Sequence, residues 1–214
     1  MKYFASLFLI LSFCCKSLHA QVQDFNTWSS IAITKQFSKK LDLGIQQMLR
    51  LNENSTRFDQ TYTDVGLNYE MNKKFSVAAN YRLIIKADVV KNRIYTDLVY
   101  SEKWNRWKAN ARMRIENNFI PQQADEIYLR PKLTFSNKLN KRFEPLISGE
   151  LFFSLFYYKG DNLVQYRLSG GTEYHFDRKN TLRLYYTYER EMNVNAAGIK
   201  HILGVSYNFK IEKK

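Results

Sequence analysis

Apolar and polar residues alternate with a period of two along most of the chain. Leu41, Leu43, Ile45, Leu49 and Leu51 share one face, and Asp42, Gly44, Gln46, Met48 and Arg50 the other. Phe75, Val77, Ala79, Tyr81, Leu83 and Ile85 alternate with Ser76, Ala78, Asn80, Arg82, Ile84 and Lys86. Trp107, Ala109, Ala111, Met113 and Ile115 likewise alternate with Lys108, Asn110, Arg112, Arg114 and Glu116. This period marks a β-strand whose two faces meet different surroundings. It predicts eleven strands, over 25–37, 41–51, 61–71, 75–86, 93–104, 107–117, 127–136, 143–157, 163–176, 181–189 and 199–211. No window sustains the 3.6-residue period of a helix. The segments exceed the usual strand of about 5–6 residues and suit a tilted strand crossing a bilayer, about 9–11 residues.

The connections alternate in length. Ser38-Lys39-Lys40, Asn72-Lys73-Lys74, Asn105-Arg106, 137–142 and 177–180 read as short turns, with longer links at 52–60, 87–92, 118–126, 158–162 and 190–198. Short turns at one end and longer loops at the other is the arrangement of an outer-membrane barrel. The expected fold is therefore all-β, a transmembrane antiparallel up-and-down β-barrel. Because bacterial single-chain barrels are usually even-numbered, a short strand near 21–26 is expected to bring the count to twelve, with ten as the alternative.

The N-terminal stretch differs from the rest. Met1-Lys2 precedes an apolar run from Tyr3 to Cys15, and Lys16 to Ala20 lead into Gln21. This layout is that of a secretory signal peptide over 1–20, cleaved after Ala20, leaving a barrel over 21–214. The run is shorter than the about 20 apolar residues of a spanning helix. The rival reading is a lipoprotein signal acylated at Cys14 or Cys15, disfavoured by bulky Phe13. Cleavage removes both cysteines, so the mature chain would form no disulfide and no thiolate metal site.

Alternation leaves the direction of the apolar face open, and a secreted soluble barrel binding a small apolar ligand would show the same pattern inverted. Three features favour lipid outside. Only Asp24, Lys35 and Glu102 among the strand charges fall off the polar face, each near a strand end, where charge in lipid costs least. Aromatic residues gather at strand ends, at Phe37, Tyr69, Phe75, Tyr100, Trp104, Trp107, Phe135, Phe143, Tyr157 and Phe176, as interfacial girdles do. The last strand ends on Tyr207, Phe209 and Ile211, as in strands recognised by the barrel assembly machinery of the bacterial outer membrane.

The charge balance fits this frame. Lys and Arg number 33 against 20 Asp and Glu, a net charge of +13, which by itself invites a nucleic-acid reading. The five short turns, however, hold ten of these cations and a single acid, Asp177. The excess is a collar at one rim, facing anionic headgroups of outer-membrane lipids, and export excludes cytosolic nucleic acid as a partner.

Several stretches carry a family likeness: Gln46-Gln47 to Arg50, Phe58-Asp59-Gln60, Thr63-Asp64-Val65-Gly66-Leu67, Tyr81-Arg82, Arg112-x-Arg114 and His201-Ile202-x-Gly204-Val205-Ser206-Tyr207. Through them the chain resembles the uncharacterised outer-membrane barrel family called domain of unknown function 2490. The resemblance implies location and architecture and brings no activity.

The lumen face is expected to carry both signs: Arg50, Asp64, Glu70, Arg82, Arg112, Arg114, Glu116, Arg130, Lys132, Glu150, Arg167, Glu173, Arg183 and Glu189. Charges of both signs in so narrow an interior suit a salt-bridged filling of a structural barrel. The alternative is a narrow, charge-lined solute pore, whose arginine excess would favour anions. Of the two mature histidines, His201 is expected outward near the loop end, the position of a catalytic histidine in outer-membrane phospholipases. Those enzymes place serine two residues on, where this chain has Leu203, and Ser206 is on the opposite face. His201 is thus the single candidate for a lipid-modifying or hydrolytic activity, without a nucleophile to activate. His175 has only Glu173 beside it on its face, too few ligands for a metal. No metal and no cofactor are expected.

Overall fold

The computed structural model describes residues 23–156, 162–194 and 197–212. The signal peptide expected over 1–20, and Tyr157 of the aromatic set, lie outside these residues. Eleven strands run in chain order: β1 (Gln23–Gln36), β2 (Leu41–Asn52), β3 (Arg57–Glu70), β4 (Phe75–Lys86), β5 (Val90–Trp104), β6 (Trp107–Phe119), β7 (Glu126–Asn137), β8 (Phe143–Leu155), β9 (Asn162–His175), β10 (Asn180–Glu191) and β11 (Ile199–Ile211). Each pairs antiparallel with its neighbours in sequence, and β1 pairs with β11 to close the barrel.

The closure corrects the expected strand number. β1 and β11 are parallel and directly paired from Gln23↔Ile199 to Lys35↔Ile211, so no twelfth strand fits between them. In an up-and-down barrel an odd count makes the first and last strands run the same way. The evenly spaced ladder of a parallel pair, slightly less stable per residue than an antiparallel one, then seals the sheet. Asp24 is a second correction. It lies on the same face of β1 as buried Asn26 and Trp28, and its carboxylate accepts from the amides of Glu53 (3.1 Å) and Asn54 (2.9 Å). Only Lys35 and Glu102 of the three exceptions point outward. Glu102 accepts from Lys74 Nζ at 2.6 Å, and Lys35 lies over the Phe37 ring.

Three of the five short turns share one local device. Asn72 Oδ1 accepts from the amides of Lys74 (2.9 Å) and Phe75 (3.0 Å), and Asn140 Oδ1 from those of Arg142 (2.8 Å) and Phe143 (2.9 Å). Asp177 Oδ1 does the same for Lys179 (2.6 Å) and Asn180 (2.8 Å). An Asx side chain that mimics a backbone turn is why Asn or Asp opens these cationic segments. Donation from the Asn180 amide, then from the two backbone amides, holds the Asp177 carboxyl below its usual range. At the opposite end the β2–β3 loop is strained: Glu53, Asn54 and Ser55 all have positive φ (49°, 56° and 63°). The Asp24 carboxylate that binds two of their amides holds this left-handed turn against its steric cost.

Burial is inverted relative to a soluble protein. Thirty-seven large hydrophobic side chains are exposed on the described residues, against nine buried ones, while thirteen polar or charged residues are buried. The apolar positions of each strand face out and the polar positions fill the barrel. Inside, one apolar cluster of Trp28, Met48, Tyr62, Ile84 and Ile202, with Tyr185 against it, sits beside the β1–β11 seam. Tyr185 is paired with Gly204 on β11 and Gly171 on β9, and its ring occupies the space a Cβ at Gly204 would need. The glycine in the His201–Tyr207 stretch is there because an aromatic ring lies across it.

Candidate functional site: an arginine and aromatic girdle across the lumen

Strand pairing brings distant charges into one layer. Arg82 is opposite Asp64, Arg114 opposite Asp97, Lys132 opposite Glu150, Glu150 opposite Arg167 and Arg167 opposite Glu189. Like charges also meet, at Arg82↔Arg93, Arg114↔Arg130 and Arg112↔Lys132, which is unfavourable unless diagonal neighbours intervene. They do. Arg93 donates Nε to Asn118 Oδ1 at 2.5 Å and lies 3.4 Å from Glu116, and Arg130 donates to Glu116 at 2.7 Å and to Glu150 at 2.9 Å. Arg112 reaches past Lys132 to Glu150 in the same row. Arg114 grips Asp97 with two hydrogen bonds of 2.7 Å, a bidentate fork. Arg167 donates to Glu189 at 2.5 Å, and Lys200 approaches Glu189 at 3.3 Å. The ions form a continuous network from Arg93 on β5 to Lys200 on β11.

Aromatic rings alternate with the guanidinium groups at the same level. Arg50 lies 3.7 Å from the Trp28 centroid and 5.2 Å from Tyr62; Arg82 lies 4.0 Å from Tyr62 and 5.3 Å from Tyr95; Arg114 is 3.8 Å from Tyr95. Phe152 sits between Arg130 (4.1 Å) and Arg167 (4.5 Å), and Arg167 returns to Trp28 at 5.2 Å. Each desolvated contact of this kind contributes about 0.5–2 kcal/mol. The Asp64 carboxylate, held by Arg82, also accepts the Tyr95 hydroxyl at 2.5 Å, so phenol, carboxylate and guanidinium form one satisfied unit.

The girdle is densely packed. Arg130 and Glu150 are each 6% exposed and Glu116 is 3% exposed, with the Trp28–Ile202 cluster in the same interior. Polar cavities remain on either side, about 380 Å3 towards the short turns, lined in part by Thr34, Asp42, Gln46 and Asn80, and about 210 Å3 towards the loops. A concavity of about 1040 Å3 is on the outer wall, lined in part by exposed side chains such as Met113, Leu133, Ile147 and Leu168.

The lumen-lining residues read from sequence divide by depth. Arg50, Asp64, Arg82, Arg112, Arg114, Glu116, Arg130, Lys132, Glu150, Arg167 and Glu189 are buried or half-buried in the girdle layer. Glu173 is half-buried nearer the short turns. Glu70 and Arg183 are exposed at that mouth, where Arg183 pairs with Glu173. The aromatic half of the girdle, Trp28, Tyr62, Tyr95 and Phe152, escaped the sequence reading. Its signal was a ring on the polar-face parity two residues from a charge, as in Tyr62/Asp64, Tyr95/Asp97 and Glu150/Phe152.

Two histidines complete the inventory. His201 faces outward. Its Nδ1 is 2.5 Å from the Tyr186 hydroxyl, and its ring stacks on Tyr186 and meets Tyr188 edge-on. Ser206 lies across the wall, its Oγ accepting from Ser30 at 2.8 Å. Among the described residues neither a serine nor a carboxylate bonds His201. His175 has more company than its own strand shows: Glu144, opposite Glu173 on β8, brings a third potential ligand, all within 4.8 Å. These groups are already engaged, Glu144 with Ser136 (2.6 Å), His175 Nδ1 with Thr181 (2.9 Å) and Glu173 with Arg183.

An eleven-stranded closed barrel, apolar outside and ion-paired within, defines the class of protein. The chain belongs to the family of proteins of unknown function DUF2490, whose model matches residues 25–198. That span covers ten of the eleven strands and stops before the His201–Tyr207 stretch on β11. No curated protein is significantly similar to the chain.

Proposed function

We propose that this protein is a bacterial outer-membrane β-barrel whose girdle seals the lumen, a structural barrel rather than an open pore. The inverted burial carries the reading. A soluble domain rarely exposes contiguous apolar patches beyond a few hundred Å2, and here the outer wall is predominantly apolar, with thirty-seven large hydrophobic side chains exposed among the described residues. Exposed aromatic residues at the turn end, among them Tyr69, Trp104, Trp107 and Phe176, are placed to meet a headgroup region. The ten turn cations supply the charge that anionic headgroups attract. Lipids of that membrane and the barrel assembly machinery, engaging β11, are the partners this reading requires.

The competing readings lack support in the geometry. A soluble barrel for an apolar ligand needs an apolar interior cavity, and both cavities carry charged groups in their walls, Asp42 and Asp64 in one and five arginines in the other, while the most apolar concavity of the three is on the outer wall. A hydrolase needs a nucleophile within reach of His201, whose Nδ1 faces a tyrosine hydroxyl instead. Fractionation tests the location: the protein should sediment with outer membranes and migrate faster unboiled than boiled on gels, and recovery in the soluble periplasmic fraction would refute it. Planar-bilayer recording tests the seal. Purified protein should give no steady conductance, and Arg130→Ala combined with Glu150→Ala should open one; steady current from the unmodified protein would overturn the closed-lumen reading.

A further inference from the structure

The girdle is not electrically balanced. Its layer holds eight cations (Arg50, Arg82, Arg93, Arg112, Arg114, Arg130, Lys132 and Arg167) and five acids (Asp64, Asp97, Glu116, Glu150 and Glu189). The imbalance concentrates in the loop-end cavity of about 210 Å3, where five arginines meet only two carboxylates, Glu116 and Glu126. Four of those arginines have an acid within 4 Å, Arg82 with Asp64, Arg93 with Glu116, Arg130 with Glu116 and Glu150, and Arg167 with Glu189. Arg50 has none among the described residues. Its guanidinium is held against Trp28 and beside Tyr62, and it donates Nε to the weak acceptor Met48 Sδ at 3.4 Å. A stacked guanidinium without a carboxylate partner is pre-organised for an oxyanion.

A second observation points the same way. Two buried nitrogens lining this cavity lack a hydrogen-bond partner, Arg130 Nε and Gln165 Nε2. Both are donors, and Arg130 is 94% removed from solvent. Among the described residues the unpartnered buried oxygens, on Asn26, Asp42, Asn52 and Asn117, and two further unpartnered nitrogens, on Asn80 and Arg112, belong to residues outside this lining. Orphaned donors and an unpaired cation in one cavity call for an acceptor-rich anion. Arg50 on β2, Arg93 on β5 and Arg167 on β9 approach from different walls, which suits the several oxygens of a tetrahedral anion better than the two of a carboxylate.

We infer that the loop-end vestibule is a binding site for a compact phosphate-type oxyanion, either free phosphate or the terminal group of a small phosphate monoester, with Arg50 as its principal contact. The site rests on lumen geometry and stands apart from the membrane assignment.

Isothermal titration calorimetry on the full barrel, folded in detergent micelles, tests it with inorganic phosphate in one arm and glycerol 3-phosphate in the other. Saturable binding of phosphate is expected. Arg50→Gln should weaken it about tenfold or more, the scale of one charge-assisted hydrogen bond. Arg50→Lys, which keeps the charge and loses the fork, should fall between, and Arg106→Gln on a distant turn should bind as the parent does. Tighter binding of glycerol 3-phosphate identifies an organic phosphate as the ligand class, and tighter binding of inorganic phosphate identifies the free anion. Absence of saturable heat with both probes, from protein that keeps its heat-modifiable migration, overturns the inference. So does parent-like affinity in a folded Arg50→Gln variant. Either failure would leave the fractionation result untouched, so the site and the location fail separately.

Discussion

The two sides of the lumen are built differently. Beside the β1–β11 seam the filling is apolar, with Trp28, Met48, Tyr62, Ile84 and Ile202 packed together. Across from it, Asp97, Arg114, Glu116, Arg130, Glu150, Arg167 and Glu189 fill the same layer with ion pairs. The seam joins strands from the two ends of the chain, so its closure carries the largest loop entropy. Non-directional burial tolerates approximate docking while that seam forms. The ion network joins strands adjacent in sequence, where hairpin register already fixes geometry and directional forks can be satisfied. Apolar packing serves the long-range closure, and charge serves the locally determined wall.

That contrast gives a series of measurements, most easily read as unfolding midpoints in denaturant for the folded barrel. Arg130→Ala should cost most, about 3–5 kcal/mol, because it leaves Glu116 and Glu150 buried with a cation removed from each. Retention of parent stability would show that solvent reaches the girdle. On the apolar side Ile202→Ala should cost about 2–4 kcal/mol through the cavity left by a side chain with no exposure. A loss greater than that of Arg130→Ala would reverse the ranking of the two sides.

Gly204→Ala should cost about 1–3 kcal/mol, since its methyl group would occupy the space of the Tyr185 ring. Adding Tyr185→Ala should make the Gly204→Ala change nearly neutral, and strict additivity in that cycle would dismiss the ring contact as its cause. The smallest effect is at the β9–β10 turn. Asp177 has its carboxyl depressed in the folded state, so its stabilisation is present above the ordinary carboxylate range and is lost as pH falls through the depressed value. Asp177→Ala should therefore lower stability at neutral pH and flatten part of the acid-side slope. An unchanged acid profile would assign that slope to other groups.

Much of this architecture was legible in the chain. The turns were, because Asn72, Asn140 and Asp177 bond backbone amides two and three residues on, a purely local interaction. The existence of all eleven strands was legible too, because side-chain parity along a strand is local. Their limits were less so. β3 begins at Arg57 rather than 61, past a register shift between Arg50 and Leu51 on β2, and a bulge leaves no mark in alternation. The aromatic half of the girdle was hidden for a related reason. Tyr62 and Phe152 look like lapses in a polar face until the strands curl and bring guanidinium groups onto their rings.

The sequence alone settled what each strand shows to either side, since a residue's face follows from its parity and its chemistry. Tertiary structure decided which strand meets which across the seam, that eleven close without a twelfth, and that the charges meet in one layer. Those outcomes depend on barrel curvature and on the pairing of the first and last strands. No local pattern encodes the distance between residues that are adjacent only after closure.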